Sequence, residues 1–121
     1  MLSLTVGTSQ DTYAFNGRSG DIDLLLWPVN FSLAYVGYTV LEPFVAYGVE
    51  GGLRYSAEDV LARRLAVCAD ALASRMERLD QVPALPFNRM PEWGLDGRIV
   101  SDAPVYSPFI RRKQTLDIGQ G

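Results

Sequence analysis

Leu2, Leu4 and Val6 alternate with Ser3 and Thr5 before Gly7 breaks the run, a short period-2 pattern that predicts a strand over residues 2–6. A polar loop follows, carrying Gly7, Gly17 and Gly20 with Asp11 and Asn16. Glycines so spaced suit a backbone that takes positive φ and comes close to another group. Asp21 ends the loop as a helix N-cap. From Leu24 the apolar positions Trp27, Pro28, Phe31, Ala34, Tyr35 and Tyr38 recur every three or four residues, which predicts a helix face. Pro28 predicts a kink or a restart inside it, and Gly37 stands where a C-terminal cap belongs.

Residues 39–47 are dense in strand formers but hold Pro43, so they predict a second strand at a sheet edge. Gly48, Gly51 and Gly52 mark the loop after it. Ser56-Ala-Glu-Asp59 has the form of a capping box. Leu61, Leu65, Cys68, Leu72, Met76 and Leu79 then make a helical stripe opposite Arg63, Arg64, Arg75 and Arg78. Beyond Asp80 no period persists, and five of the seven prolines fall between Pro83 and Pro108. Residues 81–121 are therefore an extended tail whose apolar residues, among them Phe87, Trp93, Tyr106, Phe109 and Ile110, pack on the body or on a second subunit. Residues 1–80 form the body, ordered strand, helix, strand, helix. Two parallel strands make no stable sheet alone, so the expected fold class is α/β: the last two βα units of a doubly wound parallel sheet, with ligands at the carboxyl ends of the strands.

Composition narrows the chemistry. A net charge of −3 with dispersed basic residues leaves no footprint for nucleic acid, and the longest apolar run, residues 24–29, is far below the ~20 residues of a membrane span. The expected compartment is the cytoplasm. The single cysteine allows no internal disulfide, and with no histidine in 121 residues there is no Ser-His or Cys-His nucleophile pair and no expected metal site. Cofactor chemistry, a carboxylate, a tyrosine or the backbone remains. Neither G-x-G-x-x-G nor G-x-x-x-x-G-K occurs, so the chain holds no phosphate-cradling loop of the nucleotide-binding kind.

Leu2-Ser-Leu-Thr-Val-Gly-Thr-Ser9, Tyr13, Gly17, Gly20-Asp21, Leu26-Trp27-Pro28 and Gly37-Tyr-Thr-Val-Leu-Glu-Pro43, taken in order, resemble the C-terminal half of the NAD(P)H:quinone oxidoreductases, the DT-diaphorase-like branch of the flavodoxin-like flavoproteins. Pro86-Phe-Asn-Arg89 and residues 102–111 are similar to the tails of bacterial members. The resemblance implies a dimeric enzyme that binds FAD, or FMN in some relatives, and passes hydride from NAD(P)H to a quinone. It places backbone groups of Thr5, Val6, Gly7 and Thr8 against the polar edge of the flavin. Tyr13, the implied catalytic residue, stands near the carbonyl that gathers charge on reduction, and Tyr35 lies in the substrate pocket wall. Where the family has paired glycines this chain has Gly7-Thr8, and where it has a histidine six residues after the tyrosine this chain has Ser19. No Tyr–His proton relay is then expected. The family's flavin-phosphate loop corresponds to nothing in this chain, so the site is expected to be incomplete here.

Each assignment has a plainer counterpart in the residues themselves. The glycines also fit a loop needing only positive φ, Tyr13 a half-buried loop aromatic, and Tyr35 a core or dimer-interface position. Trp27 and Phe31 read as core, Cys68 as a small buried hydrophobe, Arg63-Arg64 as a solvated face, and Arg111-Arg-Lys113 as a solvated tail end. The alternative to an enzyme is a non-catalytic dimerisation or interaction module of the same fold.

Overall fold

The computed structural model describes residues 1–49, 57–100 and 104–107. Ser56 of the expected capping box, Gly51 and Gly52, and Phe109, Ile110 and Arg111-Arg-Lys113 of the tail lie outside them. The elements are β1 (Ser3–Thr5), α1 (Ile22–Tyr35), β2 (Phe44–Ala46) and α2 (Glu58–Glu77), with short 3-10 turns at Gln10–Tyr13, Leu79–Gln81 and Met90–Glu92. The chain divides into two compact units: residues 1–22 with 39–85, and residues 23–38 with the chain from Pro86 onward.

In the first unit β1 and β2 pair in parallel, with Ser3, Leu4 and Thr5 opposite Phe44, Val45 and Ala46. The mixed α/β order and the parallel pair are those expected. β2 begins only after Pro43, and the residues before it take another partner: Leu41 bridges Ala84 antiparallel, Glu42 N–H donates to the Pro83 carbonyl at 2.9 Å, and Leu85 N–H donates to the Val40 carbonyl at 2.7 Å. Pro43, which has no N–H to give, falls at the change of partner. Val40, Ala46 and Leu61 form the buried core of this unit.

The expected capping box is corrected by the structure. The N-cap of α2 is Ala57, extended at φ −64° and ψ 151° with no side-chain cap, and Glu58 and Asp59 supply negative charge to the first turn instead. The stripe of α2 is corrected too. Leu61 is buried and Cys68 and Leu72 are half-buried, but Leu65, Met76 and Leu79 are exposed, and the half-buried Arg64 and Arg75 share the covered face. Arg75 donates to the Glu42 and Pro43 carbonyls at 2.8 and 3.2 Å and lies over the Phe44 ring, whereas Arg64 donates to the Gly48 carbonyl at 3.0 Å. Arg63 is solvated as expected, paired with Asp59 at 2.9 Å.

In the second unit α1 runs unbroken through Pro28, so the restart expected there does not occur. Gly37, at φ +100°, ends the helix: its N–H donates to the Ala34 carbonyl and Tyr38 N–H to the Leu33 carbonyl, the paired bonds of a Schellman cap. The face of α1 differs from the expected one. Phe31, Tyr35 and Tyr38 are exposed, and the buried residue is Asn30, 5% accessible, with no hydrogen bond to its Oδ1 among the described residues. Trp27 anchors an aromatic cluster with ring centroids 5.8 Å from Phe31, 5.3 Å from Phe87 and 5.5 Å from Tyr106, the last two meeting edge to face at 4.9 Å. Asn88 joins two stretches of this unit, donating to the Pro104 carbonyl and accepting from Tyr106 N–H.

Candidate functional site

The carboxyl end of β1 leads into a loop held by its own backbone. Val6 N–H donates to the Ala46 carbonyl at 2.9 Å and Val49 N–H to the Val6 carbonyl at 3.1 Å, so the strand pairing continues one residue past β1. Two residues on, Gly48 N–H donates to the Thr8 carbonyl at 2.8 Å. The chain then turns through Gln10–Tyr13, and Thr12 closes the turn with its N–H and hydroxyl on the Ser9 carbonyl, the hydroxyl also bonding that of Thr8. Ser19 N–H returns to the Thr12 carbonyl at 2.8 Å, so the loop folds back on the turn that carries Tyr13.

Two loop glycines serve different needs. Gly20 has φ +90°, the left-handed region expected of it. Gly17 does not: it lies where a Cβ would fall 2.5 Å from the Asp11 carbonyl oxygen and closer still to that of Thr12. Close approach, not positive φ, selects glycine at 17. Gly7 is likewise outside the positive-φ set, and the loop beyond β2 uses Gly48 at φ +72°.

The residues singled out from the sequence fall into two groups. Thr5, Val6, Gly7 and Thr8 are consecutive and Tyr13 lies five residues on, all in the first unit, where Tyr13 packs its ring against Tyr47 at 6.1 Å and 50°. Tyr35 belongs to the second unit, where it is 75% exposed with its ring 6.2 Å from Phe31. Thr5 lies in the ladder, and both backbone groups of Val6 are engaged with β2 and the residues after it. By contrast, the N–H groups of Gly7 and Thr8 donate to no carbonyl of the described backbone. Among the described residues the loop therefore offers two N–H groups without a backbone acceptor, and a tyrosine, after the carboxyl end of a parallel pair, where an open α/β sheet binds its ligand. Tyr47, Gly48 and Thr12 complete this arrangement. Only Gly48 had a signal in the sequence, because Thr12 and Tyr47 acquire their places through contacts across the chain.

No protein-family model matches the chain. It is 40% identical over 50 residues to NAD(P)H dehydrogenase (quinone) 1 of Cavia porcellus, an alignment covering 40% of this chain and 18% of that protein. It is 32% identical over 88 residues to a ribosyldihydronicotinamide dehydrogenase-like protein of Penicillium crustosum, covering 72% of this chain and 29% of its relative. A crystal structure of a candidate quinone reductase from Klebsiella pneumoniae superposes with a TM-score of 0.67 at 28% identity, over 88% of this chain and 40% of that one. The chain is quinone-reductase-like, with the fold of a flavodoxin-like quinone reductase over the part it shares. It spans less than a third of the length of these two sequence relatives.

Proposed function

We propose that this chain is part of a flavin-dependent oxidoreductase that passes hydride from NAD(P)H to a quinone, and that its β1–α1 loop is one wall of the flavin site. The observation that carries the reading is the pair of N–H groups on Gly7 and Thr8 that donate to no carbonyl of the described backbone, in the same loop as Tyr13 and at the carboxyl end of β1. Backbone N–H and phenolic O–H donors are the groups that suit the polar edge of an isoalloxazine, so the donor set fits the cofactor. A bound FAD, or FMN in the alternative, supplies the hydride chemistry. The chain's own residues orient and stabilise: Gly7 and Thr8 donate from a loop already fixed by Val6, Thr8 and Thr12, and the Tyr13 hydroxyl donates where negative charge develops. Fixed donors of this kind need no reorganisation as the charge appears.

Tyr35 is read as a wall of the acceptor pocket, completed by a second subunit. Phe31, Tyr35, Val36 and Tyr38 leave an apolar, aromatic face of the second unit exposed, which supports a homodimer. The same face favours a second reading, a dimerisation module that binds no flavin. Among the described residues no helix is long and apolar enough to cross a membrane, and the proposed setting is the cytoplasm.

The deciding experiment is to purify the protein and measure its absorbance, the flavin released on denaturation, and its oxidation of NADH and NADPH with a soluble quinone. Yellow protein that releases FAD or FMN and turns over quinone supports the enzyme. Colourless, folded dimer that binds neither flavin when it is added overturns it in favour of the module.

A further inference from the structure

α2 returns alongside β2 in the opposite direction. Arg64 and Arg75 are eleven positions apart, about 16 Å along a helix. Pro43 to Gly48 spans about 17 Å of extended chain. The two arginines thus reach carbonyls at opposite ends of β2: Arg75 those of Glu42 and Pro43, Arg64 that of Gly48. The upper contact is the one that bears on the loop. Gly48 is buried at φ +72°, and Arg64 Nη1 lies where it would stand 3.1 Å from a Cβ at that position, so glycine lets the guanidinium close onto the backbone. The peptide group so held donates onward through Val49 N–H to the Val6 carbonyl at 3.1 Å, and the preceding peptide through Gly48 N–H to the Thr8 carbonyl at 2.8 Å. A continuous path runs from the guanidinium through Gly48 to the two residues flanking Gly7.

We propose that Arg64 is a positioning residue for the β1–α1 loop: by holding the Gly48 carbonyl it fixes the backbone that carries the Gly7 and Thr8 N–H groups. It touches no reacting group. Its bearing on flavin binding rests on the function proposed above, but its hold on the loop does not. Arg75 is the internal comparison, an arginine of the same helix on the same strand, with its contacts at the end away from the loop.

The test is amide hydrogen exchange on the full chain, with Arg64→Met, which keeps an apolar stem and loses the donors, Arg64→Lys, which keeps one donor, and Arg75→Met. Arg64→Met is expected to speed exchange of the Gly48 and Val49 amides about tenfold, the scale of one charge-assisted bond to a carbonyl, while the amides of α2 hold their rates. Arg64→Lys is expected to recover part of that protection, and Arg75→Met to leave Gly48 and Val49 unchanged. Unchanged exchange in Arg64→Met, or equal acceleration of every amide in both methionine variants, overturns the proposal. FAD titration of the same variants separates the two readings. Local acceleration with weakened FAD binding supports both, whereas local acceleration with FAD binding unchanged leaves the positioning role standing and removes the flavin from the loop.

Discussion

Replacing Gly17 with alanine is expected to cost about 2–3 kcal/mol, more than the same change at Gly20. The new Cβ would lie 2.5 Å from the Asp11 carbonyl oxygen and nearer the Thr12 carbonyl, and these are backbone atoms that cannot swing aside as a flexible side chain would. Making room moves the loop against its own bonds, Gly17 N–H to the Ala14 carbonyl at 2.9 Å and Ser19 N–H to the Thr12 carbonyl at 2.8 Å. Overpacking typically costs about 1–3 kcal/mol, and each hydrogen bond at risk adds about 0.5–1.5 kcal/mol. Against this, alanine recovers about 0.4–1 kcal/mol by restricting the unfolded chain. At Gly20 the space is open and the penalty is conformational alone, about 1–2 kcal/mol for a non-glycine residue in the left-handed region. Urea unfolding followed by circular dichroism gives both numbers: with m of about 1–2 kcal/mol/M, the Gly17→Ala midpoint falls by roughly 1–3 M. A Gly17→Ala midpoint equal to or above that of Gly20→Ala refutes the close-approach account. The loop would then fold differently around Tyr13.

Tyr13→Phe is expected to slow flavin reduction by NAD(P)H with flavin affinity nearly unchanged, because its hydroxyl is proposed to meet charge that appears only in the transition state; stopped-flow rates beside FAD titration decide, and lost affinity with an intact rate sinks the idea. Ser19→Ala is expected to change turnover by less than ~10²-fold, since serine carries no stable positive charge, while Ser19→His introduces a pH inflection near the free imidazole value of ~6.5. A flat profile for Ser19→His means residue 19 lies out of reach of the proposed site. Arg63→Ala is expected to change stability by less than ~0.5 kcal/mol, because the Arg63–Asp59 pair spans one exposed helical turn. Urea midpoints at low and high salt check it, and a loss that high salt leaves undiminished contradicts a simple surface pair.

The local pattern of the chain was enough to order its elements. A β-branched alternation before Gly7 announces β1, Gly37 announces the end of α1, and the long period beginning at Leu61 announces α2, because strand alternation, left-handed caps and helical periodicity are properties of neighbouring residues. The candidate loop was legible for the same reason, as a glycine-spaced segment at the end of a strand. Contacts between distant residues settled the rest. The buried face of α1 includes Asn30 and leaves Phe31 and Tyr35 exposed, although an apolar count alone puts the aromatics inside. Pro43 marks where the chain exchanges Ala84 for β1 as its partner, which no run of strand formers announces. Arg64 and Arg75 lie one position from residues of the apolar stripe, and a modest rotation of α2 decides whether water or a carbonyl receives them. Long arginine stems fit either place, so only the carbonyls of Glu42, Pro43 and Gly48, brought alongside the helix by the fold, make the choice.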